Sequence, residues 1–425
     1  MSFRQSFGPV LFWRLFQLGT VALLAYACYR LASVPYRIDV DVYRLGADAW
    51  LHGRPLFGGG TVFHTDMGPD LPFMYPPLAA ILLAPMAWVA LPVASLAMTA
   101  ITIFALIIAV MIVVTELDVW PASKAVPDPA WARRLFLTLA IVAVAALYME
   151  PIRANFAFGQ VNAILMTLVI ADCVPSRTRW PRGLLVGLAI ALKLTPAVFV
   201  LYFLMRKDRR AALTAVASFA AFTIVGFLFA WRDSVEYWTV TVHNTDRIGR
   251  ALNTNQNISG TLERLSVGHS ASAVIWALGS VAVLALSVWA TRRLLRAGEP
   301  VLAVMCIGLL GLVVSPVSWS HHWVWMLPAV LTAGVVAYRR RSTARHIVAL
   351  FIIVVAGIAV TAFPPFHLLP ENHETTASWW RQIVGVSYMW WALAYIGVAG
   401  GISPSRKDAN DSTAADDGER VPAVS

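Results

Sequence analysis

The sequence predicts an all-α polytopic membrane protein, and three observations carry that expectation. Of 425 residues, 59% are hydrophobic and only 13% charged, with a mean hydropathy of +0.68. Apolar runs of transmembrane length recur from end to end, more than a soluble core of this size uses. The net charge of +10 sits in short basic clusters beside those runs. That is the positive-inside pattern of a membrane protein, and not the continuous basic face that binds nucleic acid. Residues 1–402 read as one membrane domain, and 403–425, rich in Ser, Asp, Ala and Pro, as a disordered cytoplasmic tail.

Taken in chain order, Gly8 to Leu31 is too long for a signal-peptide core and has no small-residue cleavage motif soon after it, so it reads as the first anchor. Basic loops at Arg133-Arg134, Arg177 to Arg182, Arg206 to Arg210, Arg292 to Arg296 and Arg339 to Arg345 are assigned to the cytoplasm. Loops 33–73, 150–159, 232–271, 318–322 and 364–384 then face outward, and they hold most of the polar residues.

This assignment requires two apolar stretches not to cross. Tyr75 to Val93 contains Pro76, Pro77, Pro85 and Pro92 and should begin and end outside. Gly183 to Leu204 has basic clusters at both ends and should enter and leave from the cytoplasm, reversing near Lys193-Leu194-Thr195-Pro196. The scheme gives about ten crossing helices plus two broken or re-entrant segments, both termini inside, and an active site built by the extracytoplasmic loops of a multi-pass plasma-membrane protein. Cys28, Cys173 and Cys306 lie in or at the ends of apolar runs without metal-ligand spacing and read as core residues.

One stretch stands out: Ser315-Pro316-Val317-Ser318-Trp319-Ser320-His321-His322-Trp323-Val324-Trp325 places hydroxyls, imidazoles and indoles between two apolar runs. Lipid does not tolerate unpaired polar groups, so this segment should line a polar cavity or lie at the membrane surface. Adjacent histidines point about 100° apart on a helix and have no HxxxH or HxH companion, so no metal site is expected. One imidazole is read as catalytic or phosphate-binding and the other as support. Trp319, Trp323 and Trp325 suit an interfacial aromatic belt, with one indole able to serve a sugar as well.

Other candidates lie on the outward side. Asp39 and Asp41 begin an amphipathic helix just after the first anchor. They are either carboxylates favoured by the helix dipole or a general base for a sugar hydroxyl. After Met149, Arg153 suits a phosphate, while Gln160 and Asn162 are amides able to hold hydroxyls; interfacial capping explains the same residues. Lys193 lies within an apolar element, where an ionisable group is a functional candidate and a snorkelling lysine is the plain alternative. The loop around Asn253 to Gly260 is dense in amides and hydroxyls, as carbohydrate sites and surface loops both are. Asn257-Ile258-Ser259 is a weak glycosylation sequon. Gly58-Gly59-Gly60 follows no strand and is read as a flexible loop.

Together these segments resemble the polyprenol-phosphate-mannose-dependent α-mannosyltransferases of glycosyltransferase family 87, which have the GT-C architecture. The resemblance runs through Asp39-Val40-Asp41-Val42-Tyr43, Phe73-Met74-Tyr75-Pro76-Pro77, Gly159-Gln160-Val161-Asn162, Lys193-Leu194-Thr195-Pro196, Asn255-Gln256 and the Ser315 to Trp325 stretch. It implies transfer of mannose with inversion, in α-(1→2) linkage, from polyprenyl-phosphate-mannose to a phosphatidylinositol mannoside or lipomannan acceptor, with no cofactor. It matches the family's base to Asp39 rather than Asp41. His322, assisted by an outward cation such as Arg153, would then stabilise the phosphate, with Asp41, Tyr75, Gln160, Asn162, Lys193, Asn255, Gln256, Trp319 and His321 around the substrates. Within this resemblance, branching of the lipomannan and lipoarabinomannan core is set against α-(1→2) extension of small phosphatidylinositol mannosides. A related arabinofuranosyltransferase fits the His-His-Trp run less well. A lipid-linked-sugar flippase would share the broken helices, but its expected internal repeat is not found.

Overall fold

A backbone in hydrocarbon has to satisfy its hydrogen bonds within its own segment, which favours helices throughout. The computed structural model describes residues 3–121, 128–244, 249–340 and 344–402; the predicted tail lies outside the described residues. Among the described residues there is no strand, only two isolated bridges, Phe63 with Leu71 and Asn255 with Trp319.

The first helix, α1 (Phe3–Ala32), leads into α2 (Ile38–Leu51), which buries Val40, Asp41, Val42, Tyr43, Gly46, Ala47 and Ala49. A strap of residues 52–76 follows, then α3 (Pro77–Leu82), a 3₁₀ turn at Ala84–Trp88 and α4 (Leu91–Glu116). Each of these last three pieces has a proline in its first turn, where the missing N–H costs nothing. The proline-rich stretch stays short and lies beside α2, because the Arg44 guanidinium donates to the carbonyls of Met86 (3.3 Å) and Val89 (3.1 Å).

Next come α5 (Ala130–Tyr148), α6 (Glu150–Phe158) and α7 (Asn162–Cys173). Residues 150–158, expected as loop, form a helix that meets α7 at a 119° bend. Gly159 makes the bend. Its φ of +76° is left-handed, and a Cβ there would lie 2.3 Å from Val40 Cγ2, so no side chain fits between this elbow and α2.

The second broken element consists of α8 (Leu184–Leu192), an extended Lys193, a 3₁₀ turn at Thr195–Val198 and α9 (Phe199–Met205). It is followed by α10 (Arg209–Phe229). A Cβ on Gly183 would lie 2.1 Å from the carbonyl oxygen of Ala211, so the residue before α8 touches the first turn of α10. The segment 184–205 therefore starts and finishes at the same end of the bundle, with Lys193 at its reversal. The remaining helices are α11 (Trp231–Thr239), α12 (Ile258–Arg264), α13 (His269–Arg296), α14 (Pro300–Val314), α15 (Met326–Arg339), α16 (Ala344–Ala362), α17 (Trp379–Gly385) and α18 (Ser387–Gly400), with a 3₁₀ turn at Ser320–Trp325 before α15.

Among the described residues, five helices, α1, α4, α5, α10 and α13, are long and apolar enough to cross a membrane. The bent pairs α6–α7 and α17–α18 bring the number to seven if each is one span. Helix α14 is apolar on every side and buried along most of its length, as a helix surrounded by others must be.

Charge and polarity separate along the bundle. At one end Arg134 pairs with Asp118, Arg182 donates to the carbonyls of Asp172 (3.0 Å) and Pro175 (2.7 Å), and Arg340 pairs with Glu299 at 2.8 Å. At the other end α2 is fastened to the last turn of α10 by the Trp50 indole, which donates to the Phe229 carbonyl at 3.0 Å. The strap, α11 and the 320–325 turn contribute residues to a cavity there.

Candidate active site

The cavity holds about 390 Å³ and is lined by Asp39, Tyr75, Gln160, Lys193, Trp319 and His322, with Leu56, Phe57, Leu71 and Phe73 among its apolar wall. Its polar side is built by three backbone interruptions meeting at one place: the start of α2, the elbow at Gly159 and the break at Lys193.

Asp39 lies in the first turn of α2, where the helix dipole favours a carboxylate. Burial is the larger influence and raises its pKa from 3.8 to about 6, against the lowering effects of a hydrogen bond with the Gln160 side chain and the charge of Lys193. The Gln160 carboxamide oxygen is occupied, accepting from the hydroxyls of Tyr75 (3.0 Å) and Tyr43 (3.3 Å), which leaves its N–H groups to the carboxylate. The two tyrosine oxygens are themselves 2.9 Å apart. Asp39 is thus held at one end of a buried polar chain.

The second chain starts from Lys193. Its Nζ donates to Asn162 Oδ1 at 2.8 Å, lies 3.2 Å from His322 Nε2 and stands 5.3 Å from the centre of the Tyr75 ring. Asn162 Nδ2 donates in turn to the His321 carbonyl at 3.1 Å, fixing the 320–325 turn to the elbow. Burial, with the nearby Lys193 charge, lowers the pKa of His321 to about 3 and that of His322 well below the usual range, so both imidazoles are neutral near pH 7. His321 packs 5.0 Å from the Phe158 ring and 5.7 Å from Trp319 and stays behind the cavity wall.

Asp39, Tyr75, Gln160, Asn162, Lys193, Trp319 and His322 therefore come together, and five of the sequence-derived candidates lie elsewhere: His321 behind the wall, and Asp41, Arg153, Asn255 and Gln256. Asp41 is fully buried two residues on, about 200° around the helix from Asp39. Its carboxylate accepts from the Tyr36 hydroxyl (2.9 Å) and the Asp66 amide (2.8 Å) and pairs with Arg44 at 3.6 Å, so it anchors the strap. Arg153 is exposed on α6 and does not line the cavity; its charge acts on Glu150 and Tyr388, and the cation that reaches His322 is Lys193.

Asn255 and Gln256 are both fully buried and used by the backbone. Asn255 accepts from the Ser318 amide at 2.9 Å and donates to the Arg250 carbonyl at 2.9 Å. Gln256 donates to the carbonyls of Asn253 (2.8 Å) and Gly385 (2.7 Å). The sequon residue Asn257 is equally committed, capping α12 through the Gly260 amide (2.7 Å) and donating to the Ser315 carbonyl (2.8 Å). Tyr43 was not among the candidates read from the sequence. Its position four residues after Asp39, on the same helix face, is the signal that could have found it.

The fold and cavity define a class: a multi-pass helical membrane protein whose polar site pairs a carboxylate with an ammonium. The model of glycosyltransferase family 87 matches residues 73–316, and the chain belongs to that family. It is 59% identical over 395 residues, 92% of this chain and 91% of the relative, to a protein of Mycobacterium tuberculosis named polyprenol-phosphate-mannose-dependent alpha-(1-2)-phosphatidylinositol mannoside mannosyltransferase. A Mycolicibacterium smegmatis protein of the same name is 57% identical over 431 residues, 98% of this chain and 97% of its own length. A second M. smegmatis protein, named as a phosphatidylinositol pentamannoside mannosyltransferase of the same donor dependence, is 35% identical over 69% of this chain and 68% of its own. No solved structure matches.

Proposed function

We propose that this enzyme moves mannose from polyprenyl-phosphate-mannose to a mannosylated phosphatidylinositol glycolipid, forming an α-(1→2) linkage with inversion. The observation that carries the chemistry is the single cavity in which Asp39 and Lys193 both sit. Asp39 removes the proton from the acceptor hydroxyl as that oxygen attacks the anomeric carbon, and the lipid phosphate departs on the side of the Lys193–His322 pair. A base with a pKa near 6 is largely ionised at neutral pH yet remains a competent proton acceptor. One in-line displacement turns a β-linked donor into an α product, and the positioned substrates supply much of the rate. No cofactor enters the reaction.

The cavity faces the extracytoplasmic side in this reading. Its support is the collection of arginines at the opposite end of the bundle, which the positive-inside rule assigns to the cytoplasm. Counting the shorter helices α14, α15 and α16 as spans beside the seven possible ones is compatible with the about ten crossings expected of the GT-C arrangement. Helices α8–α9 and the α3 stretch are then the two broken segments, in a multi-pass protein of the plasma membrane.

For the acceptor, the proposal is branching of the lipomannan and lipoarabinomannan core. The relatives at 59% and 57% identity are named for phosphatidylinositol mannoside without a stated mannose number, and those named for the pentamannoside reach only 35% and 32%, which speaks against the pentamannoside as acceptor. Extension of small phosphatidylinositol mannosides is the nearest alternative. Purified enzyme incubated with polyprenyl-phosphate-mannose and acceptors of increasing mannose number should give α-(1→2) products, with the highest kcat/KM on the longer α-(1→6)-linked acceptors. Faster transfer to the tetramannoside or pentamannoside would select the alternative, and no transfer to any acceptor would overturn the reaction.

A further inference from the structure

We propose that, among the described residues, Lys193 carries the positive charge that meets the donor phosphate, and that His322 is its positioning residue, accepting a hydrogen bond from its ammonium. This rests on the mannosyl-phosphate reading above and divides the work within the site.

The argument is one of donors and acceptors. An ammonium has three N–H donors and no acceptor, so in the contact between Lys193 Nζ and His322 Nε2 the imidazole nitrogen must accept. A backbone hydrogen bond with Val317 also acts on this imidazole and favours its protonated form, the sense of a ring N–H facing a carbonyl. With Nε2 taken, the donor is Nδ1–H. The tautomer is thereby fixed, and His322 has no N–H left for a phosphate oxygen. Its surroundings hold the ring in that orientation: Trp319 lies 5.7 Å away at 39°, and His321 meets it edge-on at 4.7 Å.

Lys193 has the complementary inventory. One N–H goes to Asn162 and one to His322, leaving a third, and among the described residues Lys193 is the one lysine or arginine lining the cavity. Its backbone is extended at the reversal of a broken helix, and its ammonium is held in place by Asn162 and His322. As the bond between the anomeric carbon and the phosphate oxygen breaks, the electron pair leaves with the phosphate, which goes from monoanion to dianion. The acceptor proton goes to Asp39, and Lys193 keeps its own. A charge already oriented toward that oxygen stabilises the departing dianion more than the bound donor.

The test uses purified full-length enzyme with polyprenyl-phosphate-mannose and a phosphatidylinositol mannoside acceptor, together with binding of polyprenyl phosphate. Lys193→Met should lower kcat about 10²–10³-fold and weaken polyprenyl phosphate binding. His322→Phe removes the acceptor and should cost nearly as much, whereas His322→Gln, which returns an acceptor oxygen near Nε2, should restore most of the rate. The double variant Lys193→Met/His322→Phe should be no slower than Lys193→Met alone, as for residues acting as a unit. Each variant is first shown to melt within a few degrees of wild type. Multiplicative losses in the double variant would overturn the proposal, as would His322→Gln falling as low as His322→Phe. Wild-type protein that binds polyprenyl phosphate but transfers no mannose would overturn the functional reading itself.

Discussion

Two amide-rich segments at the cavity end put the same residue type to opposite uses. At the elbow, Gln160 and Asn162 direct their side chains at a carboxylate and an ammonium, and the backbone there is free to do this because Gly159 has ended α6. In the 253–257 segment, Asn255, Gln256 and Asn257 point at carbonyls and amides of the 315–318 stretch, of residue 385 and of α12, binding three parts of the chain together. An amide becomes a ligand for chemistry only where its neighbours are ionisable and a cavity adjoins it. Elsewhere a buried amide satisfies backbone groups that would cost about 1–3 kcal/mol each if left unpaired.

The aspartates of α2 repeat this contrast within one turn, and they give the largest expected effect. Asp39→Asn should lower transfer by 10³-fold or more, roughly the loss of a general base, with little change in melting temperature. Asp41→Asn should do the reverse, lowering the melting temperature by several degrees while folded protein keeps a rate within about tenfold of wild type, since only the strap anchor is weakened. Steady-state kinetics and a detergent thermal melt on both variants check this. Equal catalytic losses would erase the distinction between the two faces of the helix.

Much of the fold was legible because lipid leaves few choices: apolar length, proline position and arginine clusters foretold the short α3 stretch and the reversal at Lys193. The helix at 150–158 was missed because its polar residues resemble a loop, and its stop signal is a single left-handed glycine. The cluster of Asp39, Gln160, Lys193 and His322 could be read only as separate fragments, since their meeting depends on a 119° bend and a reversal that periodicity does not encode. Asn255 and Gln256 looked like sugar ligands because the backbone groups they satisfy lie about 60 to 130 residues away. Arg153 looked like the phosphate cation because exposure cannot be read from a motif.

A smaller effect tests whether Gln160 belongs to the chemistry or merely to the elbow. Its hydrogen bond holds the Asp39 pKa down against the burial that raises it. Replacing it in Gln160→Leu removes the lowering contribution, so the carboxylate should titrate above its present value of about 6. The base works when deprotonated, so kcat/KM rises as pH rises through that pKa. The acid limb of the profile should therefore move to higher pH, with about tenfold loss at pH 6 and much less at pH 8. A uniform loss at all pH values would reduce Gln160 to packing.

The smallest catalytic effect is expected from the 253–257 segment, and its smallness is what gives it weight. Asn257→Ala removes the α12 cap and the bond to the Ser315 carbonyl, two contacts worth together about 1–3 kcal/mol. Ser315 lies in the cavity wall, so some effect on substrate affinity would reach the site through the backbone. The side chain itself is buried away from the cavity, and no step of the transfer passes through it. The expected outcome is a lower melting temperature, a KM raised by no more than about threefold and an unchanged kcat at a temperature where the variant remains folded. A fall in kcat of the size expected for Lys193→Met would place this segment in the chemistry and make its amides the counterparts of Gln160 and Asn162.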